Sequence, residues 1–249
     1  MTASPDNDWP PRQASDFAST QWSLVLRAGQ RGNQQAEFAL ASLCQRYWFP
    51  LYAYVRRRVA DVHQAQDLTQ DFFARLLEKN VLASASPERG RFRSFLLASL
   101  KNFLANEWDR QATQKRGGDR RCLSLDWDSG ESRLSLEPVH FHTPEREFER
   151  QWALALLEVV VRRLQSEFSS AEKSRQFEAL KQTLTGDRAA VDYAIIAADL
   201  QMSEPAARQA AHRLRKRYRE LLREEVAATV DSEDEVEDEI YRLFEALGG

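Results

Sequence analysis

Apolar residues recur along most of this chain at the three- and four-residue spacings of amphipathic α-helices. No run of alternating polar and β-branched residues argues for a strand, so the pattern predicts an all-α fold. The most two-sided helix is predicted at about residues 65–79, with a polar face formed by Asp67, Gln70, Asp71, Ala74 and Glu78. Its apolar face contains Leu68, Phe72, Phe73, Leu76 and Leu77.

Three further helices are predicted in the first half of the chain. A short one carries Trp22, Val25 and Leu26, a second spans about residues 35–59, and a third spans about residues 92–111. Pro50 lies inside the second, and because proline removes a backbone donor we expect a kink near Tyr47.

Helical periodicity stops at residues 112–143, where glycine and proline accumulate. A segment of this length is too long for a loop inside one compact domain, so it predicts a linker between two small helical domains. The predicted organisation is a disordered N-terminus (1–18), a first domain (19–111), the linker (112–143), a second domain (144–227) and an acidic extension (228–249).

The second domain contains a helix-turn-helix pattern. After predicted helices from Pro144 and at about residues 175–184, a short apolar helix spans residues 191–200. Gln201 and Met202 form the turn, and Ser203 is placed to cap a helix that continues past Leu222. A helix in this position fits the major groove of DNA, with its N-terminal residues near the base edges. We call this second helix the recognition helix.

Charge is unevenly distributed along the chain, although the net charge is only −3. Residues 231–249 contain eight acidic residues and one basic residue. Residues 91–121 contain eight basic and three acidic residues, and residues 204–219 contain six and one. The two basic stretches are therefore the candidate sites of phosphate contact.

Several classes of protein are disfavoured. The polar N-terminus and the interrupted apolar stretches predict neither a signal peptide nor a membrane span. Cys44 and Cys122 lack disulfide or zinc spacing, which suits a reducing cytoplasm. One helical face carries His63, Asp67 and Asp71 at four-residue intervals. These residues could hold a metal or form a solvated polar face, and we favour the solvated face. We expect no catalytic residues, metal or cofactor, because no glycine-rich phosphate loop or nucleophile–base pair is found.

Two segments of the first domain resemble the extracytoplasmic-function sigma factors. DLTQDFFARLLEKN (67–80) is similar to the helix of that family that docks on the clamp helices of the polymerase β′ subunit. The resemblance implies polymerase contacts by Asp67, Gln70, Asp71 and Glu78.

FRSFLLASLKNFLANEWDRQ (92–111) is similar to the segment that recognises and helps to melt the minus-ten promoter element. For Trp108, two interpretations stay open: it stacks on an unpaired base, or it covers the core of the first domain. The implied DNA contacts are Arg93, Lys101, Asn102, Trp108, Arg110, Lys115 and Arg116.

The helix-turn-helix resembles the fourth region of the same family, which reads the minus-thirty-five element and touches the β flap. The family usually has glycine where this chain has Gln201, a difference of about 1 kcal/mol if the backbone there is left-handed. A solvated basic face is the alternative interpretation of the recognition helix. The implied DNA contacts are Ser203, Arg208, Gln209, His212, Arg213 and Lys216.

The resemblance implies a cytoplasmic transcription initiation factor whose partners are core RNA polymerase, through the β′ clamp helices and the β flap, and promoter DNA. It also allows an anti-sigma factor or another regulator. The main alternative is a stand-alone helix-turn-helix regulator, and a further one is a helical adaptor that binds only proteins.

In the acidic extension, apolar residues at 236, 240, 243 and 247 predict a short amphipathic helix. The extension is either solvated or folded against the recognition helix, where it would compete with DNA.

Overall fold

A computed structural model describes residues 34–78, 91–113, 125–136, 143–168, 170–185, 191–230 and 232–248. The regular elements within these ranges are all helical, which confirms the predicted all-α class. The predicted helix around Trp22 lies outside the described residues, as do Lys115 and Arg116. In chain order the helices are α1 (Gln34–Arg56), α2 (Val62–Glu78), α3 (Phe92–Thr113), α4 (Trp127–Leu136), α5 (Pro144–Ser166), α6 (Ala171–Leu180), α7 (Gln182–Thr185), α8 (Tyr193–Asp199), α9 (Glu204–Ala227) and α10 (Val236–Gly248), with a 3-10 turn at Glu233–Glu235.

Contacts divide the chain into two units. The larger unit comprises Ser19–Ala155 and Val226–Gly249, and the smaller unit comprises Leu156–Glu225. The divisions fall inside α5 and α9, whereas the sequence analysis placed its boundaries at residues 112–143 and at residue 227.

Helices α1, α2 and α3 form the core of the larger unit, with α2 packed against both of the others. The apolar spacing of each helix buries its large side chains, and aromatic pairs join them. Tyr47 of α1 meets Phe92 of α3 edge-on, with ring centroids 5.5 Å apart, and Phe72 of α2 lies 5.7 Å from Phe103 of α3. Pro50 lies within α1, which extends on both sides of it.

The segment predicted to be a linker contains a packed helix, α4. Trp127 meets the rings of Trp48 and Tyr52 edge-on, at 5.7 and 5.1 Å, and Glu131 accepts a hydrogen bond from Arg56 at 2.8 Å. A Cβ on Gly130 would come within 3.0 Å of the Trp48 ring, so glycine permits this close approach. Residues 127–136 of the predicted linker are therefore helical although their sequence lacks helical periodicity, since contacts with α1 stabilise a helix that is intrinsically weak.

The smaller unit has its own core. Leu164, Phe168, Phe177 and Leu214 are buried, and α6 packs against α8. Where one helix was predicted at about residues 175–184, the structure has two, α6 and α7, separated by Lys181.

The predicted amphipathic helix of the acidic extension is confirmed as α10. Its Val236 and Leu243 are buried in the larger unit, and so is Glu239. The extension is therefore not simply a solvated tail.

Candidate nucleic-acid and partner interfaces

The polar face of α2 carries the residues predicted to contact polymerase. Asp67 is exposed, whereas Gln70 and Asp71 are half-buried. The three residues lie on one side of the helix because they are spaced by three and four positions. Asp61 accepts a hydrogen bond from the Gln64 backbone N–H at 2.7 Å, at the start of α2. The side chain of Glu78, the fourth predicted contact, lies outside the described residues.

The exposed side of α3 carries four of the predicted minus-ten contacts. Lys101, Asn102 and Arg110 are exposed, and the Trp108 side chain is 37% exposed. The Arg58 guanidinium lies 5.9 Å from the centre of the Trp108 ring, a cation–π arrangement. Trp108 therefore has one neighbour at the surface and still exposes part of its ring. Whether that ring stacks on a base stays a prediction.

Arg93 does not lie on this exposed side. Arg93 is only 5% exposed; its Nε donates to Glu149 at 2.7 Å, and its guanidinium lies 4.1 Å above the Trp152 ring. It also forms an ion pair with Glu239 of α10. Burial lowers the pKa of Arg93, and the charge of Glu149 opposes that effect. Arg93, although predicted to contact minus-ten DNA, is therefore not presented on the exposed side of α3, because α5 and α10 cover it.

Acidic residues of α5 also pair with basic residues of α3 and of the segment that directly follows α1. Lys101 forms an ion pair with Glu145 at 2.8 Å, and this hydrogen bond is the main reason that the pKa of Glu145 is lowered. Arg57 pairs with the buried Glu147 at 3.0 Å. Lys101 remains exposed despite its partner, so it is still accessible to a phosphate.

A small cavity of about 180 Å³ lies between α2 and α3. Asn102 and Asn106 line it with Arg75, whose guanidinium lies 5.8 Å from the centre of the Phe103 ring. Neither Arg75 nor Asn106 is among the contact residues predicted from the sequence. Arg75 and Asn106 lie close together because α2 packs against α3, which a sequence does not show. The sequence indicates only that Asn106 follows Asn102 by about one helical turn.

The turn between α8 and α9 has the hydrogen bonds of a Schellman motif. Met202 donates its backbone N–H to the Ala197 carbonyl at 3.0 Å, and Gln201 donates to Ala198 at 3.3 Å. Gln201 has φ 53°, so the left-handed backbone that the sequence analysis considered is present. The Ser203 hydroxyl accepts from the Ala206 N–H at 3.4 Å at the start of α9.

The outer face of α9 carries the residues predicted to contact the minus-thirty-five element. Arg213 is half-buried, and Arg208 pairs with Glu204 at 2.5 Å and lies 4.7 Å over the Tyr193 ring. The opposite face buries Ala207, Ala211, Leu214 and Leu221. The exposed members of the predicted set are Ser203, Arg208, Gln209, His212 and Lys216.

Arg217 has a different role from its basic neighbours. Its Nη2 lies 2.6 Å from a Glu167 carboxylate oxygen, and its Nε lies 3.0 Å from both oxygens of that group. Glu220 accepts a further hydrogen bond at 3.1 Å. These bonds raise the pKa of Arg217 and join α9 to the end of α5 within the smaller unit. Sequence alone did not separate Arg217 from its neighbours, because Glu167 lies fifty residues away.

Comparison with protein families identifies the three-helix core. Residues 43–114 match the family model of Sigma-70 region 2, which covers most of α1 and all of α2 and α3. This segment is therefore similar to Sigma-70 region 2, and it makes up less than half of the chain. Comparison with curated proteins and with solved structures finds no significant match. Helices α4–α10 lie outside the matched segment.

Within the described ranges, no helix is both long and apolar enough to cross a membrane. The same ranges contain no group of three or more His, Cys, Asp and Glu residues that could hold a metal ion.

Proposed function

We propose that this chain is a sigma factor of the extracytoplasmic-function type. It binds core RNA polymerase and directs it to promoters with minus-ten and minus-thirty-five elements. The single observation that carries the proposal is the Sigma-70 region 2 match over α1–α3, where the predicted polymerase-binding residues and five of the seven predicted minus-ten residues also lie. The polymerase performs the chemistry, so the chain itself is not an enzyme and requires no cofactor.

In this proposal, α2 docks on the β′ clamp helices through Asp67, Gln70 and Asp71. The helix is suited to this role because Leu68, Phe72 and neighbouring residues fix its other face in the core. An acidic face also favours a basic partner surface, and such charge complementarity gives orientation and fast association.

Helix α3 holds the minus-ten DNA through Lys101, Asn102, Trp108 and Arg110. The basic side chains neutralise phosphates, and Trp108 stacks on an unpaired base, a contact of about 1–3 kcal/mol. Lys115 and Arg116 extend the same basic stretch beyond the described part of α3. Arg93 has no direct DNA contact in the arrangement described here, because it is buried against carboxylates.

Helix α9 reads the minus-thirty-five element through Arg208, Gln209 and His212, while Arg213 and Lys216 contact phosphates. The β flap is the second polymerase contact.

The α8–turn–α9 arrangement also favours a second candidate, a stand-alone regulator. Such a regulator would bind duplex DNA without polymerase, usually as a dimer on a palindrome. The sigma proposal places the protein in the cytoplasm and allows an anti-sigma factor or another regulator as a partner.

Core binding tests the docking face. The double variant Asp67→Asn, Asp71→Asn should bind core polymerase from the source organism at least about tenfold more weakly, since each lost interfacial charge contact is worth about 1 kcal/mol. The matched control is Glu233→Gln, Asp234→Asn, which removes the same charge from exposed residues outside the region 2 match. Failure of the unaltered chain to bind core would contradict the proposal, and equal binding by both double variants would remove α2 from the interface.

A further inference from the structure

The C-terminal helix α10 has a buried charge at its centre. Val236, Glu239 and Leu243 lie on one face of this helix, and all three are almost completely buried. Tyr241 and Phe244 are exposed, so α10 is attached through one face. This helix lies outside the segment that matches Sigma-70 region 2. A buried carboxylate in such a helix requires a specific partner, because an uncompensated buried charge is strongly unfavourable.

The partners of Glu239 are two arginines at the start of α3. Arg91 Nε lies 2.6 Å from one Glu239 oxygen, and Arg93 Nη1 forms an ion pair with the other. Burial lowers the pKa of both arginines, and the nearby positive charge of Arg242 lowers that of Arg91 further. The two guanidinium groups therefore form an oxyanion site, which the carboxylate of the chain's own C-terminal helix occupies.

A phosphate fits the same site by its chemistry. Guanidinium groups bind carboxylates and phosphates through the same paired N–H donors. A cavity of about 420 Å³ opens beside the site between α3, α5 and α10. Its described lining includes five arginines and three glutamates, and the arginines include Arg146 and Arg242 in addition to Arg91 and Arg93. The cavity thus gives a polyanion a positively charged route to Arg91 and Arg93.

The attachment of α10 to the larger unit can be reversed. A buried ion pair gives little net stabilisation, because desolvation of the charges offsets their attraction. The helix has thirteen residues, a length that is only marginally stable in isolation. A polyanion that competes for the arginines also gains the free energy of counterion release.

We propose that α10 is an intramolecular strap, which occupies the Arg91–Arg93 site in the free protein and leaves it when promoter DNA supplies phosphates. The inference rests on the proposed function, because it takes promoter DNA as the competing anion. It predicts that Arg93 is a DNA contact only in the opened form. The exposed contacts of α3, such as Lys101 and Arg110, are available before the strap opens.

Hydrogen exchange of the unaltered full chain tests the strap without any mutation. The amides of α10 should be protected in the free chain and lose that protection in the complex with core polymerase and promoter DNA, because a released thirteen-residue helix unfolds. Amides of α3 serve as the internal control for binding. If α3 gains protection while α10 keeps its own, the strap is wrong and the proposed function stands. If the chain binds neither core nor promoter, the proposed function fails and the strap fails with it.

The variant Glu239→Gln tests the competing charge directly. Promoter-fragment binding by the variant in complex with core polymerase should have a log–log salt slope steeper than that of the unaltered chain in the same complex by about 1.8, since each of two arginines adds about 0.9. Adding Arg91→Gln should remove about half of that gain. Glu233→Gln, which removes one exposed acidic charge before α10, is the matched control. A slope equal to that of the control would overturn the proposal, and if Glu239→Gln fails to fold, the exchange experiment decides.

Discussion

Replacement of Gln201 by glycine should stabilise the protein. Gln201 has φ 53° directly after α8, a conformation that disfavours any residue with a Cβ by about 1–2 kcal/mol. Its side chain is exposed, so little packing is lost. Glycine loses more conformational freedom on folding, which offsets about 0.5–1 kcal/mol of the gain. The net expectation is a stabilisation of about 0.5–1 kcal/mol, or about 1–4 °C in Tm for a chain of this length.

Thermal unfolding of the full chain, followed by circular dichroism, measures this change. Gln209→Gly is the matched control, because Gln209 is an exposed glutamine inside α9, where glycine should lower stability by about 1 kcal/mol. Gln201→Ala should leave Tm nearly unchanged, since alanine keeps the Cβ. A Tm for Gln201→Gly at or below that of Gln201→Ala would refute the reasoning, because the left-handed backbone would then impose no measurable strain.

Further predictions concern α9 and the buried residues of the larger unit. Lys216→Ala should reduce the slope of log promoter affinity against log salt concentration by about 0.9, measured by fluorescence anisotropy. Arg217→Lys should lower the free energy of unfolding by about 2 kcal/mol in urea titrations, because lysine cannot reproduce the paired bonds to Glu167. Burial raises the pKa of Cys44 to about 12, so in a Cys122→Ser background iodoacetamide should label it at pH 8 only after unfolding. Burial also raises the pKa of Tyr47 to about 12 from its usual 10. As the pH rises, the unfolded chain therefore loses the Tyr47 hydroxyl proton at a lower pH than the folded chain does. The free energy of unfolding should fall between pH 10 and pH 12, and it should fall less steeply in Tyr47→Phe.

Local patterns predicted the helices whose two faces differ most. The apolar spacing of α2 and the turn before Ser203 depend on residues a few positions apart, so both can be interpreted without knowledge of the tertiary structure. The left-handed backbone at Gln201 could be considered in advance because the family that the chain resembles usually has glycine at that position. The spacing of Val236 and Leu243 likewise predicted α10.

Contacts between distant residues could not be predicted in this way. Arg93 lies near the start of a helix with basic residues on its outer side, and only the folded chain brings Glu149 and Glu239 against it. Helix α4 contains glycine and serine residues, which favour a loop assignment, and its helical state depends on the contacts of Trp127 with α1. The polar face of α2 is a further case, because a sequence shows that such a face exists but not which partner covers it.

The central claim is that this chain directs core RNA polymerase to promoters, and an in vitro transcription assay tests it most directly. Core polymerase from the source organism should initiate at discrete sites on promoter-containing fragments of that genome when the purified chain is added, and should not do so without it. We expect discrete start sites that weaken with Asp67→Asn, Asp71→Asn. Transcription that is identical with and without the chain would contradict the account and favour a stand-alone DNA-binding regulator.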